Sequence, residues 1–262
     1  MTKPRADQSR REVGEAVRHG TQTVQRAIMI LRLMTRRSAP AWRLSEITRA
    51  SNLPHPTTSR LLKCLVEEGL VVRDAATKRY SLGPLNFELG LASGVRLPFR
   101  DHLRPSMERI ASESGDTVYL HQFSGLESVC IDRVDGVKPL RAAAIGIGGR
   151  RPLGFSAAGV AMLATMDEER VQKVLKSFDR EIANHPRVTR NGILGAVAAA
   201  RANDYAVSRD TTVLGVGAVG IVLPAKAGRP ILGLSISAPS DQLSASRVRQ
   251  LALILKEARM SL

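Results

Sequence analysis

A run of polar and basic residues near position 60 has the chemistry of a surface that binds DNA. Hydroxyl, imidazole and guanidinium groups can hydrogen-bond to base edges and to phosphate oxygens. Pro56 suits the first turn of a helix, whose free N–H groups attract phosphate. The candidate contacts are His55, Thr57, Thr58, Ser59, Arg60 and Lys63. A solvated basic helix is the alternative, and Arg60 could instead pair with an acidic residue inside its own domain.

Lys78 and Arg79 add two positive charges just after this predicted helix. Residues 70–73 predict a strand, residues 74–77 a turn and residues 78–82 the returning strand of a hairpin. Basic side chains on such a hairpin are suited to contacts with the phosphate backbone of DNA.

Small side chains in the second half of the chain predict a different kind of site. Ala157 and Ala158 lie at a predicted helix N-terminus behind Gly154. Because neither side chain obstructs the helix amides, a carboxylate could approach them closely. Arg150 and Arg151 lie beside this position and could draw in an anion. Ordinary core packing of small residues is the alternative.

Several patterns that resemble catalytic motifs do not form complete active sites. Residues 215–220 match GxGxxG, but they run directly into the apolar residues 221–224, whereas a dinucleotide site needs a following helix. Residues 154–158 resemble a hydrolase elbow without its second glycine. His121 and His185 show no metal-ligand spacing, and His121 is interpreted as a cavity wall or a satisfied core histidine. We therefore expect no catalytic residue, no metal and no cofactor.

The chain is strongly basic. Its 262 residues include 39 Lys and Arg against 24 Asp and Glu, which gives a formal net charge of +15 and a pI near 10.9. This excess suggests a polyanionic partner, either nucleic acid or an anionic membrane. Residues 1–90 hold 16 basic and 8 acidic side chains, so they are about twice as basic per residue as residues 91–262. The few aromatic residues do not form the apolar face that a membrane-surface helix needs.

Other features favour an intracellular location. No run of 18 apolar residues predicts a transmembrane helix, and the charged first 20 residues lack the apolar segment of a secretory signal. Cys64 and Cys130 form no metal pattern, and Cys64 falls on an apolar helical stripe that predicts a small core residue. We therefore expect a cytoplasmic protein without disulfides.

Hydrophobic spacing divides the chain into two domains. Residues 1–20 predict a disordered basic tail. Residues 21–84 predict helix, short helix, turn, helix and basic hairpin, the order of a winged helix-turn-helix, which places its third helix in the major groove. Asn52, in the turn before that helix, tolerates left-handed backbone. Residues 85–100 predict a linker helix.

Residues 101–262 predict an α+β domain with an antiparallel sheet, because hairpin-like strands alternate with amphipathic helices. The predicted strands are residues 117–123, 128–134, 140–145, 218–223 and 231–237. The predicted helices are residues 156–166, 167–177, 193–203 and 244–260. Residues 146–154 predict a loop rich in Gly and Arg.

These motifs resemble the IclR family of bacterial transcriptional regulators over roughly residues 21–260. The first domain matches at TVQRA (23–27), Ile30-Leu31, LSEI (44–47), LPHPTTSRLL (53–62), GLV (69–71) and YSLG (80–83). The second matches at RPLGFSAAG (151–159), DYA (204–206), GAVGIVLP (217–224) and GLSISAP (233–239). Asn52 stands where the family usually has glycine, Val160 where it usually has a basic residue, and Gly154-Phe155 departs from the usual run. These departures concern the ligand rather than the fold.

The resemblance implies a winged helix-turn-helix joined by a linker helix to a GAF-like α/β effector-binding domain. It also implies dimers or tetramers and a small organic acid as effector. Ser235 and Ser237 would face the cavity beside Ala157 and Ala158, and their spacing of two residues puts both hydroxyls on one face of a strand. The other implied cavity residues are Leu140, Ala143, Ser208, Asp210, Val216 and Ala218.

We therefore expect a ligand-responsive regulator, either repressor or activator, of a catabolic or metabolic operon. Its expected partners are double-stranded operator DNA, a small organic acid (aromatic acids included) and further copies of itself, with no membrane. Two other classes stay open at this point. One is a metabolic enzyme fused to a nucleic-acid-binding module, and the other is an architectural DNA-binding protein without an effector.

Overall fold

The computed structural model describes residues 21–36, 41–93, 98–137, 145–224 and 230–260. The chain divides into two compact units, Met1–Val95 and Arg96–Leu262, so the division falls inside the segment 85–100 that the sequence predicts as a linker. The predicted basic tail, residues 1–20, lies outside the described residues. Each unit has a hydrophobic core of its own.

Three helices and a two-stranded hairpin begin the first unit. Helix α1 covers residues 21–34, α2 covers Leu44–Ser51 and α3 covers His55–Glu67. Strands β1 (Val71–Arg73) and β2 (Tyr80–Leu82) pair antiparallel. This order confirms the predicted winged helix-turn-helix.

The corner between α2 and α3 depends on one left-handed residue. Asn52 ends α2 with φ of 55°, a conformation that asparagine adopts more readily than most residues. Pro56 occupies the first turn of α3, where a missing N–H removes no helical hydrogen bond. The corner lets both helices contribute to one core, in which Ile47 and Leu62 are completely buried.

Trp42 attaches the hairpin to the helices. Its backbone N–H donates to the Tyr80 carbonyl oxygen, and the Tyr80 N–H donates back, both at 2.7 Å. Its indole Nε1 donates to the carbonyl oxygen of Met34, at the end of α1, at 3.2 Å. The hairpin is therefore held by both backbone and side-chain hydrogen bonds.

Cys64 is exposed, so the prediction that it is a core residue is wrong. The buried stripe of α3 consists instead of Thr58, Leu61, Leu62 and Leu65. These four recur at the three- and four-residue spacing of one helix face, and Cys64 lies outside that face.

Helix α4 (Leu85–Ala92) follows the hairpin directly. Asn86 anchors its first turn by donating from Nδ2 to the carbonyl oxygens of Leu70 and Gly83, at 2.7 and 2.9 Å. Most of the helix surface is apolar and open to solvent. Its large exposed residues are Phe87, Leu89 and Leu91.

Six strands of the second unit form one antiparallel sheet. They are β3 (Thr117–Ser124), β4 (Glu127–Val134), β5 (Arg150–Pro152), β6 (Ala206–Arg209), β7 (Val216–Val222) and β8 (Leu232–Pro239). Their order across the sheet is β5–β4–β3–β8–β7–β6. The helices are α5 (Pro98–Ser114), α6 (Ala157–Ala164), α7 (Glu168–Ser177), α8 (Asp179–Ala183), α9 (Arg190–Asn203) and α10 (Ala245–Met260), with a 3₁₀ turn at Ser240–Gln242.

The two faces of this sheet have different neighbours. On one face, side chains such as Leu120 and Ile236 pack into a continuous apolar core with α5 and α10. Because side chains alternate along a strand, the neighbouring Tyr119 and Ser235 point to the other face. Helix α6 approaches that second face, together with a separate apolar cluster formed with α7 and α9. The polar side chains between α6 and the sheet leave a cavity there.

The sequence predicts most of these elements but not all. Strand β5 lies inside residues 146–154, where the sequence predicts a loop, because only its pairing with β4 identifies three residues as a strand. The sequence prediction also lacks β6 and α8, which are four and five residues long, and it does not identify α5 as a helix. Apart from Ile145, the predicted strand 140–145 lies outside the described residues.

Replacing Leu62 with Ala should destabilise the first unit much more than replacing Cys64 with Ala. Leu62 is completely buried and Cys64 is exposed. A buried Leu→Ala change costs about 2–5 kcal/mol, whereas exposed substitutions usually stay within about 0.5 kcal/mol. Urea unfolding followed by circular dichroism measures both. Equal destabilisation by the two variants would contradict this packing of α3.

Candidate functional site

The outward face of α3 carries most of the predicted DNA contacts. His55, Ser59, Arg60 and Lys63 are exposed, and Thr57 is half-buried. The helical period places them away from the buried stripe. The face therefore presents an imidazole, hydroxyls and two cations, which are groups that bind base edges and phosphates.

Thr58 is an exception, and the prediction that it contacts DNA is wrong. Its side chain is completely buried, and its Oγ1 donates to the Pro54 carbonyl oxygen at 3.2 Å. It precedes Leu61 by three residues and Leu62 by four, so it lies on the inward face of α3. Its hydroxyl stabilises the first turn of the helix.

The two basic residues of the hairpin differ in their surroundings. Lys78 is exposed, whereas Arg79 is half-buried and donates from Nη1 to the Ala41 carbonyl oxygen at 3.3 Å. Asp74 accepts hydrogen bonds from the Thr77 hydroxyl and N–H, both at 2.6 Å, and these bonds lower the pKa of Asp74. The turn is thus internally ordered, Lys78 remains open to solvent, and Arg79 braces the hairpin within its own unit.

A cavity of about 50 Å³ lies between the sheet and the N-terminus of α6. One water molecule needs roughly 10–15 Å³ measured in the same way, so the space suits a small molecule. Six of the ten predicted effector residues line it, namely Ala157, Ser208, Val216, Ala218, Ser235 and Ser237. Residues outside this set of ten also line it, among them Tyr119, Ser156 and Thr212. The same is true of His121, for which the sequence leaves a cavity wall or a core position open, and of Arg151, which the sequence places beside the site.

The register of the strands brings these side chains together. Tyr119 on β3 is opposite Ser235 on β8, and Ser237 on β8 is opposite Ala218 on β7. Ser208 on β6 is in turn opposite Ala218. Directly opposed residues point to the same side of a sheet, so four strands contribute to one surface.

Of the other four predicted residues, Ala158 and Asp210 are not among the described residues that line the cavity. Leu140 and Ala143 lie outside the described residues. Asp210 accepts hydrogen bonds from the Gly215 N–H at 2.6 Å and from the Ser240 hydroxyl at 2.9 Å, so its carboxylate stabilises the turn before β7. Ala158 is completely buried beneath the cavity-lining Ala157, where it packs against the sheet.

The N-terminus of α6 comes unusually close to the sheet. A Cβ atom added to Gly220 would lie 2.7 Å from the Ala158 nitrogen, so only glycine allows this approach. Ser156 caps the helix by accepting the Gly159 N–H at 3.2 Å. Among the described residues, no acceptor lies on the N–H groups of Ala157 and Ala158. Such amides at a helix N-terminus attract an anion.

His121 is a buried, neutral histidine in the cavity wall. Its Nε2 lies 3.3 Å from the Ser235 Oγ, and its Nδ1 is buried without a hydrogen-bond partner among the described residues. Burial, with a smaller contribution from the charge of Arg151, lowers the pKa of His121 to about 3. His121 therefore offers hydrogen bonds without charge at neutral pH.

Arg150 and Arg151 are neighbours in β5 with different roles. Arg150 donates from Nε to Glu127 Oε2 at 2.9 Å, so its charge is compensated. Arg151 lines the cavity and donates from Nη1 to the neutral Thr212 hydroxyl at 2.5 Å. Burial lowers the pKa of Arg151. The sequence places both arginines near the site, but only their contacts in the structure distinguish them.

A reactive thiol or a metal centre places specific requirements on the remaining titratable groups. Burial raises the pKa of the Cys130 thiol to about 12, so it stays protonated at neutral pH. Within the described ranges, no three His, Cys, Asp or Glu side chains are placed to hold a metal ion. None of the described helices is long and apolar enough to cross a membrane.

Replacing His121 with Gln should reduce the loss of stability on acidification. The folded protein keeps His121 neutral, while the unfolded chain protonates it near its ordinary pKa of 6.5. Unfolding therefore takes up a proton, and the free energy of unfolding falls as the pH drops from 6.5 towards 3. Between pH 6.5 and 5 this amounts to roughly 1.5–2 kcal/mol, which the variant should retain.

Urea unfolding at several pH values measures this difference. His185→Gln is the control. Burial also lowers the pKa of His185, but this side chain is only half-buried. Identical pH dependence of the wild-type protein and His121→Gln would show that His121 is not held neutral by the fold.

Two family models match the chain and together include both units. The model for the C-terminal domain of the bacterial transcriptional regulator IclR matches residues 93–262. The model for the IclR helix-turn-helix domain matches residues 23–75.

Individual relatives match nearly the whole chain. The HTH-type transcriptional repressor AllR of Escherichia coli strain K12 is 29% identical over 242 residues, which cover 92% of this chain and 89% of that protein. A crystal structure of an IclR family transcriptional regulator from Brucella abortus has a TM-score of 0.73 at 27% identity and covers 92% of this chain and 90% of its own. The fold also matches an IclR homolog from Microbacterium hydrocarbonoxydans complexed with 4-hydroxybenzoate, with a TM-score of 0.62, 22% identity and coverage of 91% and 96%.

Proposed function

Because the chain belongs to the IclR family of bacterial transcriptional regulators, we propose that it controls a catabolic or metabolic operon in response to a small organic acid. The first unit binds operator DNA through α3 and the hairpin. The second unit binds the acid in the cavity at the N-terminus of α6. The second unit binds this effector without converting it chemically, as is expected for a member of a family of transcriptional regulators.

The exposed face of α3 supports the DNA-binding part of the proposal. Its polar groups surround Arg60, which is exposed and has the reach to contact a base edge or a phosphate. Lys63 and Lys78 are also exposed and can neutralise phosphates. The match to the helix-turn-helix model, residues 23–75, covers α3 with Arg60 and Lys63, and Lys78 lies three residues beyond it.

The polar cavity is the observation that carries the effector part of the proposal. It combines the amide of Ala157 at the helix N-terminus with the hydroxyls of Ser235 and Ser237. These groups donate hydrogen bonds to a carboxylate. The 4-hydroxybenzoate complex of the Microbacterium protein is consistent with an organic acid, aromatic or aliphatic, as the ligand of a chain with this fold.

Exposed apolar residues support an assembly of two or four copies. In α1, Val24 is 57% exposed, and in α4, Phe87 is 70% exposed. Isolated domains rarely leave several large apolar side chains on adjacent turns in water, and contact with a second copy would cover them. A dimer would also present two copies of α3 to the two half-sites of an operator.

Regulation requires that effector binding and DNA binding be coupled. An effector changes operator affinity only if it binds two arrangements of the protein with different affinity. We propose that these arrangements differ in the spacing of the two DNA-binding units. This mechanism serves a repressor or an activator equally well.

Arg60→Ala should weaken operator binding by about tenfold or more and leave effector binding unchanged. The expected loss corresponds to removal of one contact with a base or phosphate. Fluorescence anisotropy with a fragment of the gene's own promoter region measures operator affinity at fixed salt. Arg180→Ala, which removes an exposed charge in the second unit, is the control. Equal loss of operator and effector binding would mean that Arg60 is structural.

Ser235→Val combined with Ser237→Val should abolish the effector response and preserve operator binding. Both hydroxyls line the cavity, and valine removes both donors while filling the space. Calorimetry with candidate acids and anisotropy with operator DNA measure the two activities separately. The exposed Ser177→Val substitution is the control. A double variant that responds normally would place the effector site elsewhere.

A further inference from the structure

We propose that Arg151 determines which ligands the cavity accepts, by binding the carboxylate of the effector while His121 binds a neutral oxygen substituent. This inference rests on the proposed function and specifies its ligand class. The cavity should accept small carboxylates, preferably those with an oxo or hydroxyl group, and discriminate against neutral amides and amines.

The guanidinium of Arg151 has a neutral hydrogen-bond partner but no described anionic partner. Its guanidinium bonds to the Thr212 hydroxyl, and no described carboxylate lies within ion-pair distance of it. Arg150, one residue away, has such a partner in Glu127. A guanidinium has several donors in a planar fork, so one neutral hydroxyl leaves most of them free for a carboxylate.

The charge of the cavity wall also favours an anionic ligand. Arg151 is its one charged residue among those described, and no described Asp or Glu lines it. An anion entering the cavity is therefore compensated by Arg151. An ammonium group would lose its hydration without gaining a counter-charge.

His121 supplies a second, uncharged point of recognition. Its Nε2 is near the Ser235 hydroxyl, and its Nδ1 is buried without a partner among the described residues. A neutral imidazole has one donor and one acceptor nitrogen, so either a carbonyl or a hydroxyl of the ligand can satisfy Nδ1. Leaving a buried polar atom unpaired is unfavourable, so a ligand that fills this role gains affinity.

Calorimetry with the full chain tests the role of Arg151. The probes are lactate, succinate and 4-hydroxybenzoate, each compared with its neutral amide, together with alanine as the amine counterpart of lactate. Wild-type protein should bind at least one acid about tenfold or more tightly than its amide, and lactate more tightly than alanine. Arg151→Gln should weaken binding of the acid by about tenfold or more and leave amide binding unchanged. Arg180→Gln, which removes an exposed charge, is the matched control and should bind as the wild type does.

The ratio of acid to amide affinity separates a role in recognition from a structural role. Loss of acid and amide binding together, or unchanged acid binding in Arg151→Gln, would overturn the proposal. If that variant does not fold, a crystal structure of the wild-type protein with the bound acid decides. A carboxylate hydrogen-bonded to Arg151 supports the proposal, and a carboxylate bound elsewhere overturns it.

The role of His121 has its own readout. In His121→Phe, the preference for lactate over propionate should disappear, because the group that contacts the lactate hydroxyl is removed. A preference that survives the substitution would overturn this part of the proposal.

Failure of this inference differs from failure of the proposed function. If no acid binds while operator binding is intact, the ligand assignment is wrong and the DNA-binding role remains. If a carboxylate binds through Arg151 but no promoter fragment is preferred over random DNA, the proposed regulatory function is wrong and the ligand assignment remains.

Discussion

The close approach of α6 to the sheet is the constraint on which the second unit depends. Glycine at position 220 lets the helix N-terminus reach the sheet surface, since an added Cβ would lie 2.7 Å from the Ala158 nitrogen. The approach leaves helix amides and strand hydroxyls facing a common space rather than a filled apolar core. On the opposite face, α5 and α10 pack over large apolar side chains such as Leu120. The same sheet therefore borders an apolar core on one side and a polar cavity on the other.

The charged and polar groups of that cavity determine which ligands it favours. The neutral hydroxyls of Ser235 and Ser237 fit many polar ligands, whereas the guanidinium of Arg151 favours an anion. Its charge also helps to keep His121 neutral, so the cavity holds one cation rather than two at neutral pH. The proposed binding of an acid in this unit and the proposed binding of DNA in the first unit thus depend on different chemical groups. They become one function only through coupling between arrangements of the whole protein.

The sequence predicts the arrangement of helices and strands better than the surroundings of single side chains. Apolar spacing is enough to identify the winged helix-turn-helix, because the buried stripe of α3 repeats over three turns. The buried stripe excludes Cys64 and includes Thr58. The sequence alone does not predict this, because Thr58 is polar, Cys64 is small and apolar, and the rotation of the helix about its axis is not known. Strand β5 is too short to have a periodicity. The difference between Arg150 and Arg151 depends on the register of that strand with β4, which no local pattern encodes.

We propose that one chain couples binding of a carboxylate to binding of an operator. A complete thermodynamic cycle tests it most directly: operator affinity with and without a saturating acid, and acid affinity with and without saturating operator, at one salt concentration. We expect the acid to change operator affinity by some factor other than one, and the operator to change acid affinity by the same factor. Two ligands that bind with unchanged affinity in each other's presence would contradict it.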